Sequence, residues 1–379
     1  MRGIRSRTVL ATAAITVSTV LGFAAPAHAA YAIEPVTLGW NPAGPVHSSV
    51  SGNGVVYVGG KLDGVGGIAA VDAGTGNLLW QTPASKDVRA LALSADGNTL
   101  YAGGSFSAVG GVTHRHLVAL NAVDGSIITS FKGRAAGMVR DLVVSGDTLY
   151  LGGLFTSVDG VAGQGLGAVN ATTGARIATF NHTVDLGVMG LALNSNTLVM
   201  VGTFNSVDGQ ARQHIAAIDL ASNTLTSWAP RRFCDCDTFW DVQTDGTYAY
   251  VGASGGGGNF GSYNLTTGSA RWRYVHADGD VQTVFLPGDG KAYLGGHFGT
   301  SIFNTGTPWN SVPVTVAAAV DLSTGQPDPG FTPKFYKTYP GGWAYASAGN
   351  KLWIGGDFTG EGQNGKNNKK PYLAAFPGI

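Results

Sequence analysis

Two cysteines separated by one residue, in CDCD at Cys234 to Asp237, are the sharpest local opportunity for chemistry in this chain. Thiols so spaced can close a small ring, stay a free pair or serve as ligands. In an oxidising compartment the ring is expected: a local disulfide between Cys234 and Cys236 that pins a loop. GASGG at Gly252 to Gly256 has the G-x-S-x-G spacing of a hydrolase nucleophile. That elbow needs a strand running into a helix, whereas glycines follow here, so the serine reads as part of a glycine-rich strand end. HADGDV at His276 to Val281 offers Asp278 and Asp280. Two carboxylates are too few for a calcium loop, and a turn is the expected role. No HExxH, phosphate loop or zinc spacing occurs, so no catalytic residue, metal ligand or cofactor is assigned.

The elements that would carry these residues are set by a repeat. YVGG at Tyr57 returns as YAGG at Tyr101 and YLGG at Tyr150 and Tyr293, with related stretches at Val199, Tyr250 and Trp353. Successive steps are 44, 49, 49, 51, 43 and 60 residues, a period that in an all-β sequence points to one four-stranded propeller blade per copy. In the second copy, VRALALS, TLYAGGSF, HLVALNA and SIITSF alternate as four strands. Asp-Gly and Thr-Gly dipeptides between them supply the positive φ of tight turns. The paired glycines leave no side chain where blades or strands approach closely.

Six copies end in an outer aromatic: Trp80, Phe131, Phe180, Trp228, Trp272 and Phe331. The seventh breaks off before its own, and the N-terminal TLGWNP around Trp40 resembles TLTSWAP around Trp228. The reading is an all-β, seven-bladed β-propeller spanning residues 30–379, its ring closed by pairing of N- and C-terminal segments.

Counting back 10 to 12 residues from each repeat position gives His47, Arg89, Arg140, Met189, Trp240, Gln282 and Trp343. These are expected at the mouth of the central channel. Apart from Met189, they form the candidate ligand site: indoles stack on sugar-like rings and guanidinium groups make paired hydrogen bonds. The plain alternative is a water-lined channel. The same face should carry loops suited to partner binding, with Arg231, Arg232, Phe233, Trp309, Tyr336 and Tyr339 as candidate contacts.

GGSFSAVGG, GGLFTSVDG and GTFNSVDG resemble the secreted β-propeller repeats of actinobacterial extracellular proteins. The resemblance implies the fold over nearly all of the chain and no reaction. Copies five to seven depart from it, with GASGGGGNFGS in the fifth and long insertions after Phe298 and Phe358. AAVDAGTGNLLWQTP and YNLTTGSARWRY are similar to quinoprotein dehydrogenase repeats, whose tryptophan docks blade on blade. Those enzymes carry adjacent cysteines and acidic calcium ligands, which Cys-Asp-Cys does not match.

MRGIRSR, an apolar run and Ala27-His28-Ala29 read as a cleaved signal peptide over residues 1–29, so a secreted, extracellular protein is expected, with no membrane insertion. Lys+Arg of 23 against Asp+Glu of 23 gives no field to gather phosphates, and nucleic acid is not an expected partner. The functional expectation is a non-catalytic binding module for an extracellular protein or glycan. The alternatives are an adaptor or lectin-like subunit of a larger secreted complex, such as an antibacterial toxin assembly, and a quinoprotein-like or hydrolytic enzyme.

Overall fold

Alternating apolar residues fold each repeat into an antiparallel meander. In blade 1 the strands Val46–Gly52, Val55–Gly60, Gly67–Asp72 and Leu78–Pro83 pair in sequence order. Tyr57 stands between Val50 and Ala70 in the register. The Thr-Gly turn after the third strand has a local cause: Asp72 Oδ1 accepts from the Thr75 amide and hydroxyl, both at 2.7 Å, while Gly76 takes φ 73°. Asn170 with Thr173, Asn264 with Thr267 and Asp321 with Thr324 repeat the device.

The structure is a computed structural model and describes residues 31–255, 258–336, 340–362 and 371–379. The leader expected over 1–29 and the candidate contact Tyr339 lie outside these residues. Among the described residues there is no helix; the strands form a seven-bladed propeller.

Seven apolar clusters, one at each blade-to-blade junction, make up the core. The outer aromatics fill them. Trp80 donates its indole N–H to Ala122 O, Trp228 to Asn264 O and Trp272 to Leu322 O, in each case on the following blade. Phe131, Phe180 and Phe331 are buried at the corresponding junctions without a polar contact to give.

The ring closes as the sequence predicts. Blade 7 contributes Gly342–Ala348, Lys351–Gly356 and Leu373–Pro377, and its outer edge is covered by the N-terminal segment. Ala32 N donates to Pro377 O and Val36 N to Ala375 O, each at 2.8 Å, and Asn41 Nδ2 to Leu373 O at 2.9 Å. Trp40 then packs on the junction between blades 7 and 1.

Two features differ from the four-strand reading. The outer strand shrinks to one bridge in blades 2, 3, 5 and 6, at Ile127, Arg176, Ala270 and Pro327. A solvent-facing edge gains little from longer pairing, and a short edge offers no template to other chains. Secondly, the departures in copies five and six build a shared sheet. Val275–Ala277 pairs with Gly258–Asn264 of blade 5 on one side and with Ser301–Asn304 of the sixth repeat's insertion on the other.

Candidate functional site

Every inner strand carries a one-residue register shift at the corresponding place, and blade 3, whose strand begins earlier at Ala135, carries a second one before it. The shifts bracket His47, Arg89, Arg140, Met189, Trp240, Gln282 and Trp343. An extra residue bends a strand and re-aims its side chain. All seven line one central cavity of about 450 Å³, so the structure brings the whole expected ring together.

The recurring glycines leave room beside most of these bulges. A Cβ on the second glycine of the repeat would fall about 2 Å from the carbonyl oxygen two residues before the bulge: Gly60 against Pro45 O, Gly104 against Asp87 O, Gly202 against Gly187 O, Gly356 against Gly341 O. Blade 5 has Ala253 at this place. The first glycine has the other role that the sequence suggests. Gly59 meets Val88 and Gly103 meets Val139, each on the next blade.

Within the ring the groups are tied in pairs. His47 Nδ1 lies 2.6 Å from Asp87 Oδ1, and Asp87 Oδ2 lies 2.5 Å from Arg89 Nε. Burial pushes His47 below the usual imidazole range, the Asp87 hydrogen bond opposing it only in part. His47 is therefore neutral near pH 7 and donates Nδ1–H to Asp87. Burial acts to raise Asp87, but the His47 hydrogen bond and the nearby charges outweigh it and hold the carboxyl low. Trp343 packs its ring 4.7 Å from the His47 ring.

Arg140 is differently placed. Its guanidinium stands over the Trp240 ring, 5.7 Å from the centroid, and makes no hydrogen bond or close ion pair among the described residues. Trp240 Nε1 is buried and likewise unpartnered.

Beside the bulges, Asp141 and Asp241 lock neighbouring blades. Asp141 accepts from Leu142 N and, across the junction, from Leu191 N at 2.7 Å; Asp241 accepts from Val242 N and from Val284 N at 2.7 Å. Burial, then the Asp241 charge, pushes Asp141 up to about 7, and burial pushes Asp241 up to about 6.

The expected loop contacts separate. Arg231 and Arg232 are exposed, and Arg232 folds onto its own loop, donating to Cys236 O at 3.2 Å. Trp309 is 76% exposed at the tip of the sixth repeat's insertion. Tyr336 is half-buried in a short pairing with Gly360. Phe233 is half-buried: its ring stacks 5.3 Å from Phe239 and packs on Tyr263, against the junction of blades 4 and 5, which leaves only part of it on the surface. Cys234 and Cys236 are joined in a disulfide on the same loop.

Sequence reasoning missed Asp87, which joins two ring members. It lies in the loop just before the inner strand Val88–Leu93, at a place the repeat does not mark. The stretch around Ser254 is a strand end, its amide donating to Thr238 O. Asp278 caps a turn through Gly299 N and Thr300. No group of three metal-ligating side chains occurs among the described residues.

A quinone cofactor does not fit the residues present. The cysteine bridge lies in the wall between blades 4 and 5 rather than in the channel, and the channel carboxylates Asp141 and Asp241 are occupied by backbone amides.

The family described as outer membrane protein assembly factor BamB (PQQ_2) matches residues 30–274. Among solved structures, the WD40 β-propeller domain of Doa1 is similar with a TM-score of 0.60 at 11% identity, covering 92% of this chain and 97% of that one. The computationally designed Ika8 protein is similar with a TM-score of 0.52 at 13% identity, covering 91% of this chain and 99% of that one. At such identities the likeness is one of fold. No curated protein matches the sequence.

Proposed function

This chain belongs to the PQQ_2 family, described as outer membrane protein assembly factor BamB, and we propose that it acts as a secreted, non-catalytic binding module whose ligand seats in the mouth of the central channel. The observation that supports this is the set of seven bulges. They converge imidazole, guanidinium, amide and indole groups on one cavity. Structural positions in the repeat vary little, the paired glycines giving way only at Val201 and Ala253; these seven positions hold five residue types. The cavity falls within the size range of small-ligand sites. Its wall offers both ring faces and hydrogen-bond donors, which favours a glycan over a folded protein. The exposed Trp309 and Arg231 lie apart from it and would suit a secondary contact with a protein partner.

The test uses the purified mature protein on glycan arrays and in pull-downs from culture supernatant. Retained glycan that is lost in a Trp240→Ala, Trp343→Ala double variant, with melting nearly unchanged, supports the reading. Glycan binding that survives the double variant would remove the channel mouth as the site. A stoichiometric protein partner retained equally by both forms would make the molecule a subunit of a larger assembly.

A further inference from the structure

We propose that the channel mouth recognises an acidic sugar, taking its carboxylate between the guanidinium of Arg140 and the indole N–H of Trp240. This rests on the reading of the mouth as a ligand site and names the ligand's chemistry. Buried polar groups are hydrogen-bonded in nearly every protein, and an exception at a cavity wall points to a missing partner. Here the exceptions cluster. Arg140 lacks a close acceptor and Trp240 Nε1 is buried without one. Both donors belong to bulged residues that face the same cavity.

A group able to satisfy an indole N–H and a guanidinium together is an acceptor with two oxygens. A carboxylate has the flat, two-oxygen geometry that the guanidinium fork matches. Arg89 is the weaker attractor, because the Asp87 carboxylate already balances its charge. The remaining wall specifies what carries the carboxylate. Gln282 offers an amide that both donates and accepts, and Trp343 an indole at the far side of the ring. Such an amide, with an indole surface, suits a polyhydroxylated ring. An acyl chain would leave the amide unsatisfied.

Two carboxylates, Asp141 and Asp241, line the same cavity and would oppose an incoming anion. Their oxygens are drawn to backbone amides of the following blades rather than to Arg140. The arginine fork therefore stays free for an outside acceptor.

The experiment is isothermal titration of the mature protein with oligogalacturonate and oligoglucuronate, and with the neutral methyl esters of both. At least one acid should bind about ten- to hundredfold more tightly than its ester, the range expected when a hydrogen bond to a charged group is lost. Arg140→Gln should bring the acid down to the level of the ester. Trp240→Phe, which keeps the ring and removes only the N–H, should weaken the acid and leave the ester unchanged. Melting curves of both variants establish that they are folded. Equal binding of acid and ester would overturn the carboxylate while leaving the mouth a sugar site. Absence of binding by all four probes would overturn the acidic-sugar inference, and the array experiment above would still decide the mouth reading on its own.

Discussion

His47 and Asp87 meet across the junction of blades 1 and 2, Nδ1 to Oδ1 at 2.6 Å, and the second Asp87 oxygen holds Arg89. One carboxylate thus orients two members of the ring from outside it. Asp87→Asn keeps the shape but gives up a charge-assisted pair, which costs about 1–3 kcal/mol in unfolding experiments. Ligand affinity at the mouth should fall as Arg89 loses its fixed position, and the His47 titration, followed by NMR, should move downward as the carboxylate that favours its charged form is removed.

The pH dependence of stability has a sign. Folded Asp141 and Asp241, raised to about 7 and about 6, hold protons that the unfolded chain releases near pH 4. Their contribution therefore favours folding at mildly acidic pH and is lost as pH rises from about 4 towards 7. Asp72, Asp96 and Asp321 are shifted the opposite way and contribute stability that is lost on acidification through their lowered values. Melting temperature should peak between about pH 4 and 6 and decline towards pH 8. Asp141→Asn should flatten the alkaline side of that curve. A melting temperature that rises steadily to pH 8 in the unaltered protein would contradict the burial argument.

Anion affinity should follow the same two groups. Among the titratable and charged side chains lining or bordering the mouth, His47 is neutral, Asp87 and Arg89 are paired, and Arg140 keeps its charge. Protonating Asp141 and Asp241 removes two repulsive charges, so oligogalacturonate, still ionised at pH 5.5, should bind more tightly there than at pH 8. Asp241→Asn should reduce that difference in titration calorimetry.

Gly104→Ala or Gly356→Ala places a methyl carbon about 2 Å from a backbone carbonyl. Blade 5 houses the Ala253 methyl at this place beside its own bulge, so here the strand must shift to do the same, and each change should destabilise by about 1–3 kcal/mol, as overpacking does. Each should also weaken binding, because the bulge that aims Arg89 or Trp343 must shift. Gly64→Ala, at an open turn, should leave ligand affinity unchanged.

The Cys234–Cys236 bond closes too short a ring to constrain the unfolded chain strongly. Secreted protein treated with iodoacetamide should gain mass only after reduction. The reduced form should melt only slightly lower, a difference of about 1–2 kcal/mol.

The fold was legible because the repeat fixes turn, strand and glycine at constant spacing, and because a missing outer aromatic in the last copy had a match at Trp40. The ring was legible for the same reason. A bulge held at one place in every blade stays within 10 to 12 residues of the repeat, the spread coming from hairpin length, so counting residues finds its side chain without knowledge of the bulge. Asp87 was not legible, since it acts from a loop that the repeat does not constrain. How far Phe233 folds inward was not legible either, because composition cannot tell an exposed loop aromatic from a half-buried one. The shortened outer strands also escaped, as alternation continues in sequence beyond the point where solvent makes pairing unrewarding.

The closure of blade 7 separates the order in which the chain is made from the order in which the ring is finished. Asn41 waits for Leu373, 332 residues later. At ribosomal speeds of about 5–20 residues per second, that interval is roughly 20 to 70 s. Until then the growing molecule is an open crescent with a bare edge at one end and an unhoused tryptophan at the other. The slow quantity for this protein is therefore the lifetime of the crescent, and a helper that shields either end during that interval would raise the yield of folded protein without changing its final stability.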